Sequence, residues 1–296
     1  MLTASRTYSS QQAGSLLVPS RTLAGSVENR SAVAPEMVTT LRELGRIISH
    51  RLITPHFQPI FELSQAELYG YEALSRIVGP AVFNSIEELF CAAQGSGMLS
   101  GLERLCRERA LTTAAQLGVN ELLFLNVCPA VLADDHRPGV TAKLLGELGI
   151  ERSRVVLELT ERSLISDYDL FGRVVNHYRR QGYTIAIDDL GDGFAGLKML
   201  AQIEPDYVKL ARFMVAGIDK APVRQALVEA IVTFCQRVGI KVIAEGIERQ
   251  EELDYLTAIG IRYGQGYLLA RPAPHLLERM PQLHDTSVPV QTWLQW

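Results

Sequence analysis

Short apolar runs alternate with longer stretches of helical periodicity, and most of the runs end in a charged or amide side chain. The runs cover residues 68–73 with Glu72, 122–127 with Asn126, and 155–159 with Glu158. They continue over 184–187, followed by Asp188 and Asp189, over 207–210 with Lys209, and over 241–244, followed by Glu245. Helical spacing of apolar residues predicts a helix over 35–51, where Leu41, Leu44 and Ile47 share a face. Further helices are predicted over 86–93, 102–117, 142–148, 170–180, 223–238 after Pro222, and 251–259, with a last strand over 266–269. A strand at 56–61 and the 68–76 strand are joined only by the turn at Ser64, Gln65, Ala66 and Glu67, so these first two strands are expected to be antiparallel.

Strand and helix alternate from there on, which predicts a parallel sheet, and about eight such units close into a barrel. The chain has 296 residues, room for one barrel of roughly 250 residues. Carboxylates are costly in an apolar core. Their recurrence at successive strand ends therefore predicts one shared polar site on one face of the barrel, rich in the hard oxygen ligands that divalent cations prefer.

Composition narrows the classes. The chain is 47% hydrophobic and 21% charged, with a formal net charge of -4, the balance of a globular domain with a large core. No basic patch points to duplex nucleic acid. No apolar run approaches the ~18 residues of a membrane span. Cys91, Cys106, Cys128 and Cys235 are scattered without a C-x-x-C pair, which argues against zinc and a disulfide framework and for a reducing, cytoplasmic setting. The six histidines match no metal pattern. Residues 1–35 are rich in Ser, Thr, Ala and Gly and read as a disordered leader, residues 36–284 as the barrel, and residues 285–296, with Trp293 and Trp296, as a loosely attached tail.

The segment Gly70-Tyr71-Glu72-Ala73-Leu74-Ser75-Arg76 resembles the signature of EAL domains, the cyclic di-GMP phosphodiesterases. Further blocks follow in the family's order: Phe57-Gln58-Pro59-Ile60, the Asn126 strand, Glu158-Leu159-Thr160-Glu161, Asp188-Asp189-Leu190-Gly191-Asp192-Gly193, Asp206-Tyr207-Val208-Lys209, Ala244-Glu245-Gly246-Ile247-Glu248 and Gln265-Gly266-Tyr267. The resemblance implies an α/β fold, a modified TIM (β/α)8 barrel with an antiparallel first strand. It implies hydrolysis of cyclic di-GMP to linear pGpG with two Mg²⁺ or Mn²⁺ ions, and a homodimer. Glu72, Asn126, Glu158 and Asp188 would hold the first ion, and Asp188, Asp189 and Glu245 the second. Lys209 would orient the attacking water, with Glu245 as a second catalytic group. Gln58, Arg76 and Gln265 would contact the dinucleotide, and Glu161 and Glu248 would support the site.

Two departures stand out. The loop after the paired aspartates has Leu190 and Asp192 where relatives usually carry Phe and Thr, and Ala211 stands where they often have Asp. Cys128, where the family usually has Ser, reads as a small buried residue. The alternatives are a non-catalytic cyclic di-GMP receptor and an unrelated barrel aldolase using Lys209 as a Schiff base. The second needs a lysine with a depressed pKa, whereas surrounding carboxylates act the other way.

Overall fold

The computed structural model describes residues 35–80, 82–128, 131, 140–160, 168–192, 196–277 and 279–280. The expected leader up to residue 34 and the whole of the expected tail, with both tryptophans, lie outside the described residues, as does Glu161. Eight strands close into a barrel in chain order: β1 Ile53–Glu62, β2 Glu67–Ile77, β3 Leu122–Val127, β4 Val155–Thr160, β5 Thr184–Leu190, β6 Tyr207–Leu210, β7 Lys241–Ala244 and β8 Tyr263–Gly264. The expected antiparallel start is present: β1 runs against both β2 and β8, and every other pairing is parallel.

The helices follow the alternation: α1 Pro35–Ser49, α2 Ile86–Ser96, α3 Leu99–Leu117, α4 Val140–Leu148, α5 Tyr168–Arg180, α6 Gly196–Ile203, the single turn α7 Arg212–Val215, α8 Pro222–Val238 and α9 Gln250–Ala258. The outer faces of the strands and the inner faces of the helices form one large apolar cluster, including Leu123, Leu157, Ile185, Val208, Val228 and Leu256. A second cluster, with Leu44, Ile47, Ile53, Leu89 and Leu102, packs α1, α2 and α3 together beside the start of β1.

The barrel interior explains where the polar residues go. Side chains alternate along a strand, so residues two apart face the same way. Ile60, Phe124, Val156, Ala186, Tyr207, Ile243 and Tyr263 fill one interior layer. Two residues toward the parallel strands' C-terminal ends from each stand Asn126, Glu158, Asp188, Lys209, Glu245 and Gln265. Gly70 precedes Glu72 in the same way, and Gln58 is two residues before Ile60 in the reversed strand β1 and pairs across from Glu72. An apolar plug therefore supports a polar layer at one mouth.

Two expectations are corrected. The last strand is Tyr263–Gly264; residues 266–269 form a turn, with Leu269 N and Ala270 N both bonded to Gly266 O. The apolar run there packs on the outer core instead, where Leu269 is buried. Helix α6 was not expected, although Met199, Leu200 and Ile203 give it a buried face; Gly196 at its start reads as loop.

Candidate active site

Lys209 lies at the centre of the polar layer, fully buried on β6. Its Nζ is 2.7 Å from Glu158 Oε1, 2.7 Å from Glu245 Oε1, 3.0 Å from Glu72 Oε2 and 3.1 Å from Asp188 Oδ1. Amides fix the carboxylates from the other side. Asn126 Nδ2 donates to Glu72 Oε1 at 3.0 Å, and Gln265 Nε2 donates to Glu72 Oε2 at 2.6 Å and to Glu245 Oε1 at 2.9 Å.

One ammonium faces four carboxylates, so the cluster carries excess negative charge. Burial opposes ionisation of Glu72, but Lys209, Gln265 and Asn126 outweigh it and hold that carboxyl below its ordinary value. Burial wins at the others. It raises Glu158 and Glu245 well above the usual carboxylate range and Asp188 above it, against the pull of Lys209 and reinforced by the neighbouring carboxylates. Burial lowers the Lys209 ammonium, yet the four carboxylates raise it far more. That is the opposite of what a Schiff-base lysine needs, and it removes the aldolase alternative.

This donor set fits divalent cations. The oxygens of Glu72, Glu158 and Asp188 come within 4.8 Å of one another, and so do those of Asp188, Asp189 and Glu245, with Asp188 common to both groups. Both Glu158 oxygens and Asp188 Oδ1 are buried without a well-directed hydrogen bond among the described residues. Buried acceptors in that condition are costly, and hard oxygen donors with excess negative charge are what Mg²⁺ or Mn²⁺ take.

Local backbone features hold these groups. The ladder between β5 and β6 shifts register between Ile187 and Leu190, and Asp189 there has φ +56°, in the left-handed region that Asp tolerates better than most. That irregularity lets consecutive aspartates both serve the site, where a regular strand would turn Asp189 to the outside. At the other side, a Cβ on Gly266 would sit 2.2 Å from both the N and the O of Ile247. Only glycine allows the chain after β8 to lie against the segment after β7, where Ile247 N bonds to Gln265 O at 3.2 Å. This contact sets Gln265 beside Glu245.

The remaining predicted site residues lie around this cluster. Arg76 lines a cavity of about 610 Å³ that opens beside Glu72, Asn126, Asp188 and Asp189, and its Nη1 bonds to Ser75 O. Gln58 is buried and donates to Ala270 O at 3.2 Å, fastening the segment after β8. Glu248 is exposed and held by a fork from Arg212, two bonds of 3.0 Å each. Cys128 is only half-buried and lines the cavity, rather than lying in the core as expected.

Sequence reasoning missed Glu103 of α3, which is 6% exposed and lines the same cavity. Its Oε1 accepts from Cys128 N at 2.6 Å, and burial raises its carboxyl to about 7 against the opposing pull of Arg107. The available signal was a charged residue next to Leu102, close to Leu105, on the apolar face of a helix.

Comparison with known proteins agrees with this geometry. The model of the EAL domain family matches residues 41–272. Cyclic di-GMP phosphodiesterase PdeR of Escherichia coli is 32% identical over 241 residues, which are 78% of this chain and 35% of that protein. Cyclic di-GMP phosphodiesterase PA2567 of Pseudomonas aeruginosa is 30% identical, over 75% of this chain and 39% of its own length. The chain thus spans little more than a third of the curated relatives it matches here. A standalone EAL protein of Vibrio cholerae, solved in its c-di-GMP bound form, superposes with a TM-score of 0.70 at 26% identity, covering 78% of this chain and 97% of that one. BlrP1 of Klebsiella pneumoniae, solved as a manganese and cyclic di-GMP complex, superposes with a TM-score of 0.69 at 31% identity over 75% of this chain and 56% of that one. With the family matched across the barrel and the strand-end carboxylates gathered at one mouth, this chain belongs to the EAL domain family.

Proposed function

We propose that this chain is a metal-dependent phosphodiesterase that hydrolyses one phosphodiester bond of cyclic di-GMP to give linear pGpG, in the cytoplasm. The observation that carries the reading is the set of four carboxylates around Lys209, three of them buried and Glu245 half-buried, with Asp189 beside them and oxygens left without directed hydrogen bonds. Glu72, Asn126, Glu158 and Asp188 hold the first of two Mg²⁺ or Mn²⁺ ions, and Asp188, Asp189 and Glu245 hold the second. When bound, such ions polarise the phosphodiester and lower the pKa of an attacking water.

The protein's own groups do the rest. Lys209 orients the water and offsets the charge that develops on the phosphoryl oxygens. Gln265 keeps Glu72 and Glu245 in one orientation, so that Glu245 is held where a base is needed. Arg76 offers a planar fork suited to a phosphate on the cavity wall. Gln58 and Gln265 border the dinucleotide, while Glu248 and Glu161 support the loops at the edge of the site.

The protein acts as a homodimer; exposed apolar residues such as Phe213 of α7 and Val223 and Leu227 of α8 are available for such a contact. The Arg224 guanidinium covers the Phe213 ring and ties α7 to α8 there. Light scattering on the purified chain tests this point.

The activity is tested by incubating purified protein with cyclic di-GMP and Mg²⁺, Mn²⁺ or Ca²⁺ and separating products by chromatography. Linear pGpG is expected with the first two metals. Ca²⁺, with longer and looser coordination, should support binding without comparable turnover. Binding without hydrolysis in every metal would make the protein a receptor instead.

A further inference from the structure

The turn that carries Glu245 is short and tied at its near end. Glu245 N donates to Leu210 O at 3.1 Å, at the end of β6, and Ile247 N donates to Gln265 O at 3.2 Å. Gly246 between them has φ +65°, in the left-handed region that favours glycine. A Cβ there would stand 2.6 Å from Cγ of Arg212, so the turn lies directly against α7.

The far end of the turn is held by Glu252 of α9, whose side chain the sequence reading did not single out. This residue is 3% exposed. Its Oε2 accepts from Glu248 N at 3.0 Å and from Arg249 N at 3.1 Å, and its Oε1 accepts from Gly217 N at 2.8 Å and from Arg249 Nε at 3.0 Å. A Glu in the first turn of a helix ordinarily caps only the residue before that helix. Glu252 does so and also reaches back 35 residues to Gly217, between α7 and the 3-10 turn Ile218–Lys220. Arg249 Nη2 pairs with Asp219 of that 3-10 turn, a second tie between the same two segments. Burial opposes the charge on Glu252, but the donors from Gly217, Glu248 and Arg249 outweigh it and hold its carboxyl below its ordinary value. The ionised carboxylate is thus a clamp between the loop after β6 and the turn after β7, built of charge-assisted bonds.

We propose that Glu252 is a positioning residue for the second cation: by clamping the turn after β7 onto the loop after β6, it sets where the Glu245 carboxylate stands. The inference rests on the two-metal reading of the site. The effect travels through the backbone. Without the clamp, the N–H groups of Glu248 and Arg249 turn to water and the turn shifts about Gly246. Glu245 then moves relative to Asp188 and Asp189, its partners around the second ion. Small divalent cations demand near-ideal geometry, so a modest displacement of one ligand weakens that ion. Glu72, Asn126 and Glu158 stand on β2, β3 and β4 rather than on the clamped segments, and the first ion keeps its ligands.

The test titrates the full, metal-stripped chain with Mn²⁺ alone and counts bound ions by electron paramagnetic resonance of the free ion, beside thermal melts. Glu245→Gln first identifies which of the two bound ions belongs to the second site. In Glu252→Gln the amide nitrogen cannot accept from a backbone N–H, so half of the clamp is lost. That ion should bind at least about tenfold more weakly, with the other within about twofold of wild type. The Mn²⁺ concentration for half-maximal turnover should rise by the same factor, while kcat at saturating Mn²⁺ stays within about threefold. Leu44→Ala, in the apolar cluster of α1, α2 and α3, is the stability control: it should melt early yet bind both ions as wild type does. Should Glu252→Gln not fold, Asp219→Asn breaks only the second tie and has to weaken the same ion alone. The proposal is overturned by a lower melting temperature with unchanged Mn²⁺ binding, by equal weakening of both ions, by the selective loss appearing in Leu44→Ala, or by unchanged binding in Asp219→Asn where Glu252→Gln does not fold. Failure of the wild-type chain to bind two ions appears before any variant is compared; it identifies the two-metal reading as the fault, and the inference falls with it.

Discussion

Gln265 Nε2 donates to Glu72 Oε2 at 2.6 Å across 193 residues of chain, joining the turn after the last strand to the second strand. The same amide nitrogen reaches Glu245 Oε1 at 2.9 Å. One neutral side chain therefore holds two carboxylates that are expected to serve different metal ions. Barrel closure through β1 and β8 is what makes the contact possible, so the site is completed only when the fold is.

Glu72→Ala should abolish hydrolysis without unfolding the protein. Glu72 accepts from Lys209, Asn126 and Gln265, so its loss removes a proposed metal ligand and those three bonds while Glu158, Asp188 and Glu245 still surround the ammonium. A fall in turnover of about 100-fold or more is expected, with the protein still folded and its melting temperature lowered by the loss of these bonds. Full activity of this variant in Mg²⁺ would refute the metal assignment.

Most of this site was legible in the sequence because each polar residue sits at the end of a strand, two positions beyond a residue of the interior layer. Phe124 precedes Asn126, Val156 precedes Glu158, and Tyr207 precedes Lys209 in this way. The antiparallel start followed from the short connection between Glu62 and Glu67. What escaped depended on tertiary contact. The 266–269 run looked like a strand because it is apolar, but its partner is the outer core, and Gly266 is pinned against the Ile247 backbone. Glu103 escaped because a single acidic residue on a helix is usually solvated; only its place beneath Cys128 makes it part of the cavity.

Gly266→Ala should be far more damaging than its size suggests. The added Cβ would stand 2.2 Å from backbone atoms of Ile247, which cannot rotate away as a side chain tip would. Destabilisation of about 1–3 kcal/mol is the usual range for overpacking, and backbone contact puts this substitution at its upper end. Gln265 should shift with it, lowering turnover. Gly45→Ala in α1 is the matched control: nothing lies within 4 Å of its Cβ, so a gain of about 0.5–1 kcal/mol is expected from helix propensity. Equal melting temperatures for the two variants would contradict the packing account.

Glu103 gives the fold a separable pH dependence. Burial raises its carboxyl from 4.5 to about 7 in the folded protein. The folded state then binds more protons than the unfolded state between those two values, so the contribution of Glu103 to stability declines as pH rises through that window. The full difference is on the order of 3 kcal/mol. Glu103→Gln keeps an acceptor for Cys128 N but cannot ionise. Its stability relative to wild type should increase from about pH 4.5 to about pH 7 and then level off. Denaturant unfolding of both proteins across that range measures it; a constant difference at every pH would show that Glu103 ionises normally.

Lys209 has a structural role as counter-charge and the chemical role proposed for it above, and the two separate experimentally. Among the described residues it is the one cation among Glu72, Glu158, Asp188 and Glu245, all within 3.1 Å of its Nζ. Removing one partner of a buried charge cluster typically costs about 3–5 kcal/mol, because the others are left uncompensated. Lys209→Ala should therefore melt early when metal-free, and Mn²⁺ should recover much of the loss by supplying positive charge to the same carboxylates. Metal cannot replace a group that orients water and offsets phosphoryl charge. With Mn²⁺ saturating and the fold restored, kcat should still be lower by about 100-fold or more, while KM changes little, since that interaction strengthens in the transition state. A metal-restored variant with near-wild-type kcat would reduce Lys209 to a counter-charge and leave the chemistry to the metal ligands alone.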